Sequence, residues 1–286
     1  MEKSNSRRDF LRKAAVAAGL PQLLLPEWAR GFSALFSQGI VPAGEFSLLK
    51  LEKLLPTYSF PFTGRFSTSS FQLHYSLYNL YGNKAFSAGE FSLNAENRGE
   101  RRQFIFSSSR LAGNGIKESD RIFNYVVSGN VVCKNNGTLT PEKWCVSSRI
   151  SGSEGGTSFG NTGLVNNGKV KHGELLLNIG KKIIRKPIGD IALSWKWGLL
   201  SVVQKMAEDS IAALQFTLLD EFDALYQNQK LRFRRKVILD CGNHREVEFK
   251  IFELTGDGVL PTVYWVDNMN RTIFVITGME AYVLKS

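Results

Sequence analysis

From Phe71 to Tyr81 the sequence FQLHYSLYNLY sets Phe71, Leu73, Tyr75, Leu77 and Tyr81 on one face and Gln72, His74 and Ser76 on the other. That is the period of two expected of a strand with one buried side. Tyr58, Phe60 and Phe62 repeat the pattern upstream, and Phe91, Leu93 and Ala95 repeat it downstream, with Gly82 and Asn83 as turn residues between segments. Aromatics gathered on one parity belong to an antiparallel sheet packed on one side. Near the end of the chain EVEFKIFEL alternates Val247, Phe249 and Ile251 with Glu248 and Lys250, and TVYWVDNMNRTIFVITG reads as two strands joined at Asp267 to Asn270.

The period changes once. Between Asp190 and Asp209, Trp195, Leu199, Val202, Val203 and Met206 recur at helical spacing, which predicts one amphipathic helix over that span. Sheet and helix each carry one apolar face, and curling the sheet around the helix buries both. The predicted fold class is therefore mostly β, a β-rich α+β domain with a curved antiparallel sheet packed around one principal helix. The Gly/Ser/Asn-rich run SGSEGGTSFGNTGLVNNG, residues 151–168, is predicted as a long loop within a single domain over 44–286.

The first 43 residues have another design. A basic region comes first, followed by AAVAAGLPQLLL from Ala14 to Leu25 and then a stretch with small residues, the order of a secretory leader. Its apolar core is about a dozen residues, short of the roughly twenty that a spanning helix needs, so no permanent membrane anchor is expected. Val41, Pro42 and Ala43 offer small residues before a cut, which places the mature start near Gly44.

Within that leader Ser6, Arg7, Arg8, Asp9, Phe10 and Leu11 resemble the S-R-R-x-F-L core of twin-arginine (Tat) export signals, with Arg12 and Lys13 where the family usually has Lys next. The resemblance implies recognition of Arg7, Arg8, Phe10 and Leu11 by the Tat translocation machinery. It further implies passage across the inner membrane already folded, and a periplasmic or secreted destination. The element order of the mature chain, with its closing PTVYWVDNMNRTIFVITGMEAYVL, loosely resembles the periplasmic lipoprotein-carrier half-barrels, in which an antiparallel sheet wraps an interior helix; no functional residues carry over from that layout.

Charge changes the picture only in combination with the leader. The chain carries +10, and residues 1–43 hold six basic and three acidic side chains, so +10 less 3 leaves +7 on the rest. The basic clusters Lys181, Lys182, Arg185, Lys186 and Arg232, Arg234, Arg235, Lys236 would suggest nucleic acid in a cytoplasmic protein. An export address removes nucleic acid as a partner, and alternating charges on the solvent face of strands account for the clusters.

Candidate chemistry is sparse. Gly156 to Gly160 spells G-x-S-x-G around Ser158, but no apolar strand leads in and no helical pattern follows, as a nucleophile elbow needs. Gly163 to Lys169 spells G-x-x-x-x-G-K and then gives Val170 in place of a hydroxyl. Asp220, Glu221 and Asp223 bunch carboxylates, yet neighbours in sequence point apart, and DEFD reads as a strand end with a solvated turn. Asp267 reads as a turn former. With His74, His172 and His244 scattered, neither metal nor cofactor is expected.

Cys133 and Cys145 lie in one hairpin-like segment, and an oxidising compartment would let them pair. A turn at Asn136 and Gly137 argues the other way, since it sets Cys133 opposite about residue 140. Cys241 reads as a small buried apolar residue. Trp195 belongs to the helix stripe, which leaves Trp197 at its margin as the candidate ligand-binding residue near a rim. Taken together the sequence predicts an exported, non-catalytic protein that binds or carries an apolar or glycan ligand, or serves as an envelope structural module. The alternative is an exported hydrolase acting on envelope or extracellular polymers, which requires carboxylates or a Ser/His pair to converge in a cleft.

Overall fold

The computed structural model describes Leu51 and residues 69–81, 84–113, 122–154, 157–180, 182–240 and 246–285. All of these fall in one compact unit, Ala43–Ser286. The strands with predicted Tyr58, Phe60 and Phe62, the turn at Gly82 and Asn83, and the whole leader with Arg7, Arg8, Phe10 and Leu11 lie outside the described residues.

Eight strands come first: β1 Ser70–Tyr81, β2 Lys84–Arg98, β3 Arg101–Gly113, β4 Ile122–Lys134, β5 Pro141–Glu154, β6 Thr157–Lys171, β7 Glu174–Ile179 and β8 Lys182–Pro187. A three-residue strand β9, Leu193–Trp195, leads through a 3-10 turn at Lys196–Gly198 into helix α1, Leu199–Asp209. Six strands close the chain: β10 Ala213–Asp220, β11 Ala224–Asp240, β12 Glu246–Thr255, β13 Thr262–Asp267, β14 Thr272–Thr277 and β15 Glu280–Leu284. They form one sheet in the order β8-β7-β6-β5-β4-β3-β2-β1-β15-β14-β13-β12-β11-β10-β9. Every pairing but β1 with β15 joins strands adjacent in sequence, and all are antiparallel except β9 with β10.

That order forces the curl. Laid flat, fifteen strands at about 4.8 Å spacing would part β8 from β9 by roughly 65 Å. Only residues 188–192 join the two edges, and so short a link reaches about 20 Å even when extended. The sheet therefore bends its two ends toward each other, and its concave face holds α1. Leu199, Leu200, Val202, Val203, Met206 and Ala207 of the helix are buried along with Ser201 and Gln204, which leaves only Lys205, Glu208 and Asp209 outside the fully buried set. A helix buried nearly all round is an interior helix. It packs on β13 and β14, and no helix among the described residues is long and apolar enough to cross a membrane.

The predicted alternation is present in β1, where Phe71, Leu73, Tyr75 and Leu77 are buried and Gln72 and His74 are exposed. Beyond Leu77 the parity changes: the register with β2 shifts between Leu77 and Tyr78, and the next buried side chain is Leu80. A bulge of this kind flips every later side chain to the other face.

Two expectations are corrected. The helix is shorter than the predicted Asp190 to Asp209, because Leu193, Ser194 and Trp195 pair in parallel with Thr217, Leu218 and Leu219 of β10 and so are extended. The long loop expected over 151–168 is instead hairpin, with Ser151–Glu154 ending β5 and Thr157 onward forming β6. One of its glycines serves close packing: a Cβ on Gly168 would sit 2.1 Å from the Trp144 ring, so only glycine lets that indole lie against β6.

Candidate functional site

The concave side is lined with aromatic rings that converge on Phe222, in the turn between β10 and β11. Its ring stacks on Phe106 of β3 at 5.7 Å, and Trp144, Trp195 and Trp197 stand at 5.7, 5.5 and 6.3 Å. Local geometry explains why a ring from an acidic turn points inward. Glu221 and Phe222 both take left-handed conformations, φ 48° and 62°, which fold the turn back over the sheet. The Asn166 side chain of β6 donates to the Phe222 carbonyl at 2.9 Å and holds it there.

Trp197 is not at a rim. It belongs to the 3-10 turn ahead of α1, is 8% exposed, and packs on Phe106 at 4.5 Å and Phe91 at 5.5 Å. The expectation of a marginal, accessible Trp197 is corrected, since its direction is set by β9 and the turn and not by the helix stripe. A buried indole N–H normally finds an acceptor, yet those of Trp144 and Trp197 have none. The Trp195 indole faces the buried Cys133 thiol, whose pKa burial pushes up and that indole partly restrains. Arg102 closes this end of the core: its guanidinium lies 5.1 and 5.4 Å from the Phe71 and Phe104 rings, and burial lowers its pKa to about 10, so it stays charged at neutral pH.

A group of polar side chains adjoins the aromatic cluster. Arg110 of β3 donates to both carboxylate oxygens of Glu280 at 2.9 and 3.0 Å and to the Tyr282 hydroxyl, and Lys196 pairs with Asp220 at 2.9 Å. Burial works against both cations, but Tyr282 and Glu280 hold the Arg110 guanidinium above its usual range, and Asp220, Tyr282 and Glu221 do the same for Lys196. Tyr282 links this group to the aromatic cluster, its own ring meeting Phe91 edge-on at 5.9 Å. Asp223 in the same turn has its pKa raised, by burial first and then by Glu221 and Asp220, with Lys186 opposing.

The other sequence candidates are dispersed. Ser158 pairs along the backbone with Ser153 in the β5–β6 hairpin, and Gly163 to Lys169 are strand residues of β6, so neither motif has the loop its chemistry needs. His74 faces outward from β1, His172 sits at the β6–β7 turn, and His244 and Cys241 lie outside the described residues. Cys133 and Cys145 are both free. Cys133 faces Pro141 and is buried, whereas Cys145 faces Asn130 and is exposed. The two thiols are on opposite faces of the sheet, which excludes the disulfide. Among the described residues no group of three His, Cys, Asp or Glu side chains could hold a metal ion. Asp220, Glu221 and Asp223 do end a strand, as expected, and Arg232 and Arg234 of the basic run both pair with Glu253 across the ladder. The sequence reading missed Phe222, Arg110 and Tyr282; a lone phenylalanine inside DEFD was the one available signal.

Neither the family models nor the curated proteins contain a match to this chain. Among solved structures, the β-barrel-like protein of domain of unknown function DUF1849 from Brucella abortus superposes with a TM-score of 0.50 at 10% sequence identity, over 76% of this chain and 96% of that one. The strand order, the interior helix and that likeness together give this protein a β-barrel-like fold, one large antiparallel sheet curled around α1.

Proposed function

We propose that this chain is an exported, non-catalytic carrier that holds an apolar ligand within the aromatic cluster around Phe222, in the periplasm. The observation that carries the reading is the pair of buried indole donors, Trp144 and Trp197, left without acceptors on either side of one turn-borne ring. Buried donors of this kind cost stability unless something accepts from them. A ligand whose apolar body takes the place of the Phe222 ring, and whose oxygen accepts from an indole, would supply what is missing. The left-handed turn at Glu221 and Phe222 is the part that moves, and Arg110, Lys196 and Tyr282 meet the ligand's polar end. The leader's resemblance to Tat signals supports the compartment. The hydrolase alternative draws no support from Ser158, whose segment is a strand.

The test is titration of the full chain with a fluorescent fatty acid, read by probe emission and by quenching of tryptophan fluorescence. Wild type is expected to take up the probe with quenching. Phe222→Leu, which keeps an apolar plug without its ring, is expected to bind about tenfold more tightly, and Trp197→Phe to bind more weakly. Absence of uptake by wild type, or uptake indifferent to both variants, would overturn the reading.

A further inference from the structure

The outward side of the sheet carries an order that the strand pattern alone does not explain. The register places Gln72 beside Asn94, then Ile105, Asn130, Cys145, Asn167 and Asn178, one from each of β1 to β7. One step along the strands, a second row runs His74, Ser92, Ser107, Ser128 and Ser147. The two rows contain no Lys, Arg, Asp or Glu. Charges return in the rows beyond, with Glu96, Lys143 and Lys169 on one side and Glu90 and Arg149 on the other. The result is a belt without charged carboxylates, lysines or arginines, its amide-rich row crossing seven strands and its hydroxyl row five before it meets Val165 on β6, at a lateral pitch of about 4.8 Å.

Sheet stability does not select this composition. Asn is depleted in strands, where β-branched and aromatic residues fit best, and a solvent face is as well served by Lys, Glu and Thr. At the β1 end the belt opens into a concavity of about 370 Å³, lined by Ser70, Gln72, Asn94, Glu96, Gln103 and Ile105. That lies within the size range of small-ligand pockets. Ile105, 53% exposed, gives it an apolar patch among four polar neutral side chains and one carboxylate, that of Glu96.

We infer that this belt is a binding site for a neutral glycan strand, laid across β1 to β7 with one end seated in the concavity. The inference is independent of the interior carrier site, which is on the opposite face. Its chemistry follows from the donor and acceptor inventory. Each carboxamide offers a donor and an acceptor side by side and each serine hydroxyl offers both, which matches the paired hydroxyls of a sugar ring. The C–H face of a sugar fits Ile105. A nucleic acid or an anionic lipid surface would require a row of cations, and a protein partner would require aromatic or Arg anchors; the belt has neither.

Cys145 supplies a reporter, because it is an exposed thiol between Asn130 and Asn167 in the middle of the amide row. The full chain is treated with iodoacetamide, and labelling at Cys145 is followed by peptide mass spectrometry with and without cellohexaose or chitohexaose. At least one of these neutral hexasaccharides is expected to slow Cys145 labelling about tenfold at saturation, and heparin is expected not to. Asn130→Lys is expected to weaken that saccharide's binding by about tenfold, while Lys230→Gln on the far flank leaves it unchanged. Fatty-acid uptake should be the same in both variants. If neither hexasaccharide binds at millimolar concentration, or if one binds without protecting Cys145, the belt is not a glycan site.

Discussion

Asn166 donates its side-chain amide to the carbonyl of Phe222 at 2.9 Å across 56 residues of sequence. The partners come from β6 and from the β10–β11 turn, near opposite ends of the sheet order, so this bond ties the curl shut. Removing it leaves a buried carbonyl without a donor, at a cost of about 1–3 kcal/mol. Asn166→Ala is therefore expected to lower the urea midpoint and to accelerate hydrogen exchange in Glu221 to Ala224 well beyond the global loss. Uniformly faster exchange with no excess in that turn would show that the bond does not hold it.

Asp267 and Arg271 make the most enclosed ion pair among the described residues. The carboxylate accepts from Arg271 Nε at 2.9 Å and Nη2 at 2.6 Å, and from the backbone N–H groups of Met269 and Arg271 at 3.0 and 2.8 Å. Asp267→Ala strands a buried guanidinium and undoes the turn, so a loss of about 3–5 kcal/mol is expected. Asp267→Asn keeps acceptors for the two amides and should lose less. Chemical denaturation of the two variants checks the order; equal losses would show that the turn bonds contribute little beside the charge.

Gly168→Ala tests a packing contact. The added methyl would meet the Trp144 indole at 2.1 Å, and the ring, buried against Phe222, has little room to retreat. Overpacking of this kind costs about 1–3 kcal/mol. Gly137→Ala, in the β4–β5 turn with open space around the glycine, is the comparison and should be near neutral. Similar melting shifts for both would contradict the close approach.

The sequence carried the sheet well and the site poorly, for a physical reason. Alternation in Phe71 to Leu77 or in Phe91 to Ala95 is a local consequence of the pleat, legible without knowing what lies across from it. Asp267 was legible as a turn former because an Asx turn is also local. The spacing of Trp195 from Leu199 fits a helix, but its pairing partner in β10 lies over twenty residues away and wins over local periodicity. Residues 151–168 look like a loop by composition, and are held as strand by neighbours on both sides. The neutral belt was invisible for the same reason: Asn94, Asn130 and Asn167 become one row only when the registers between their strands are fixed together.

Asp223 gives a pH prediction. Burial, with Glu221 and Asp220 nearby, raises its carboxyl pKa above the ordinary 3.8. A carboxyl with a higher pKa in the folded than in the unfolded chain costs stability when ionised, and that cost disappears as the pH falls through its folded value toward 3.8. Asp223→Asn is thus expected to raise the melting temperature at pH 7, with the gain shrinking as the pH drops to about 4. A gain that stays constant, or grows, on acidification would reverse the sign of the coupling.

Export is the prediction with most reach, because the compartment frames every ligand discussed. Arg7 and Arg8 precede Phe10 and Leu11 in the arrangement that resembles Tat signals, a route that takes folded cargo. The fold is compatible with that demand. Apart from β1 with β15 and the parallel β9 with β10, every strand pairing is antiparallel between neighbours in sequence, and such short-range pairs form early and rapidly. Replacing both arginines by lysine preserves charge and removes only the guanidinium pair. The double variant is expected to accumulate as full-length precursor in the cytoplasmic fraction while wild type appears processed in the periplasm. A second arm separates the Tat route from general secretion: a rigid, fast-folding cytoplasmic reporter fused behind residue 43 should be carried out by the wild-type leader and retained by the lysine variant. Undiminished export of the lysine variant, or failure of the wild-type leader to move the folded reporter, would remove the Tat route, and retention of wild type as full-length precursor in the cytoplasm would remove the periplasm from the account.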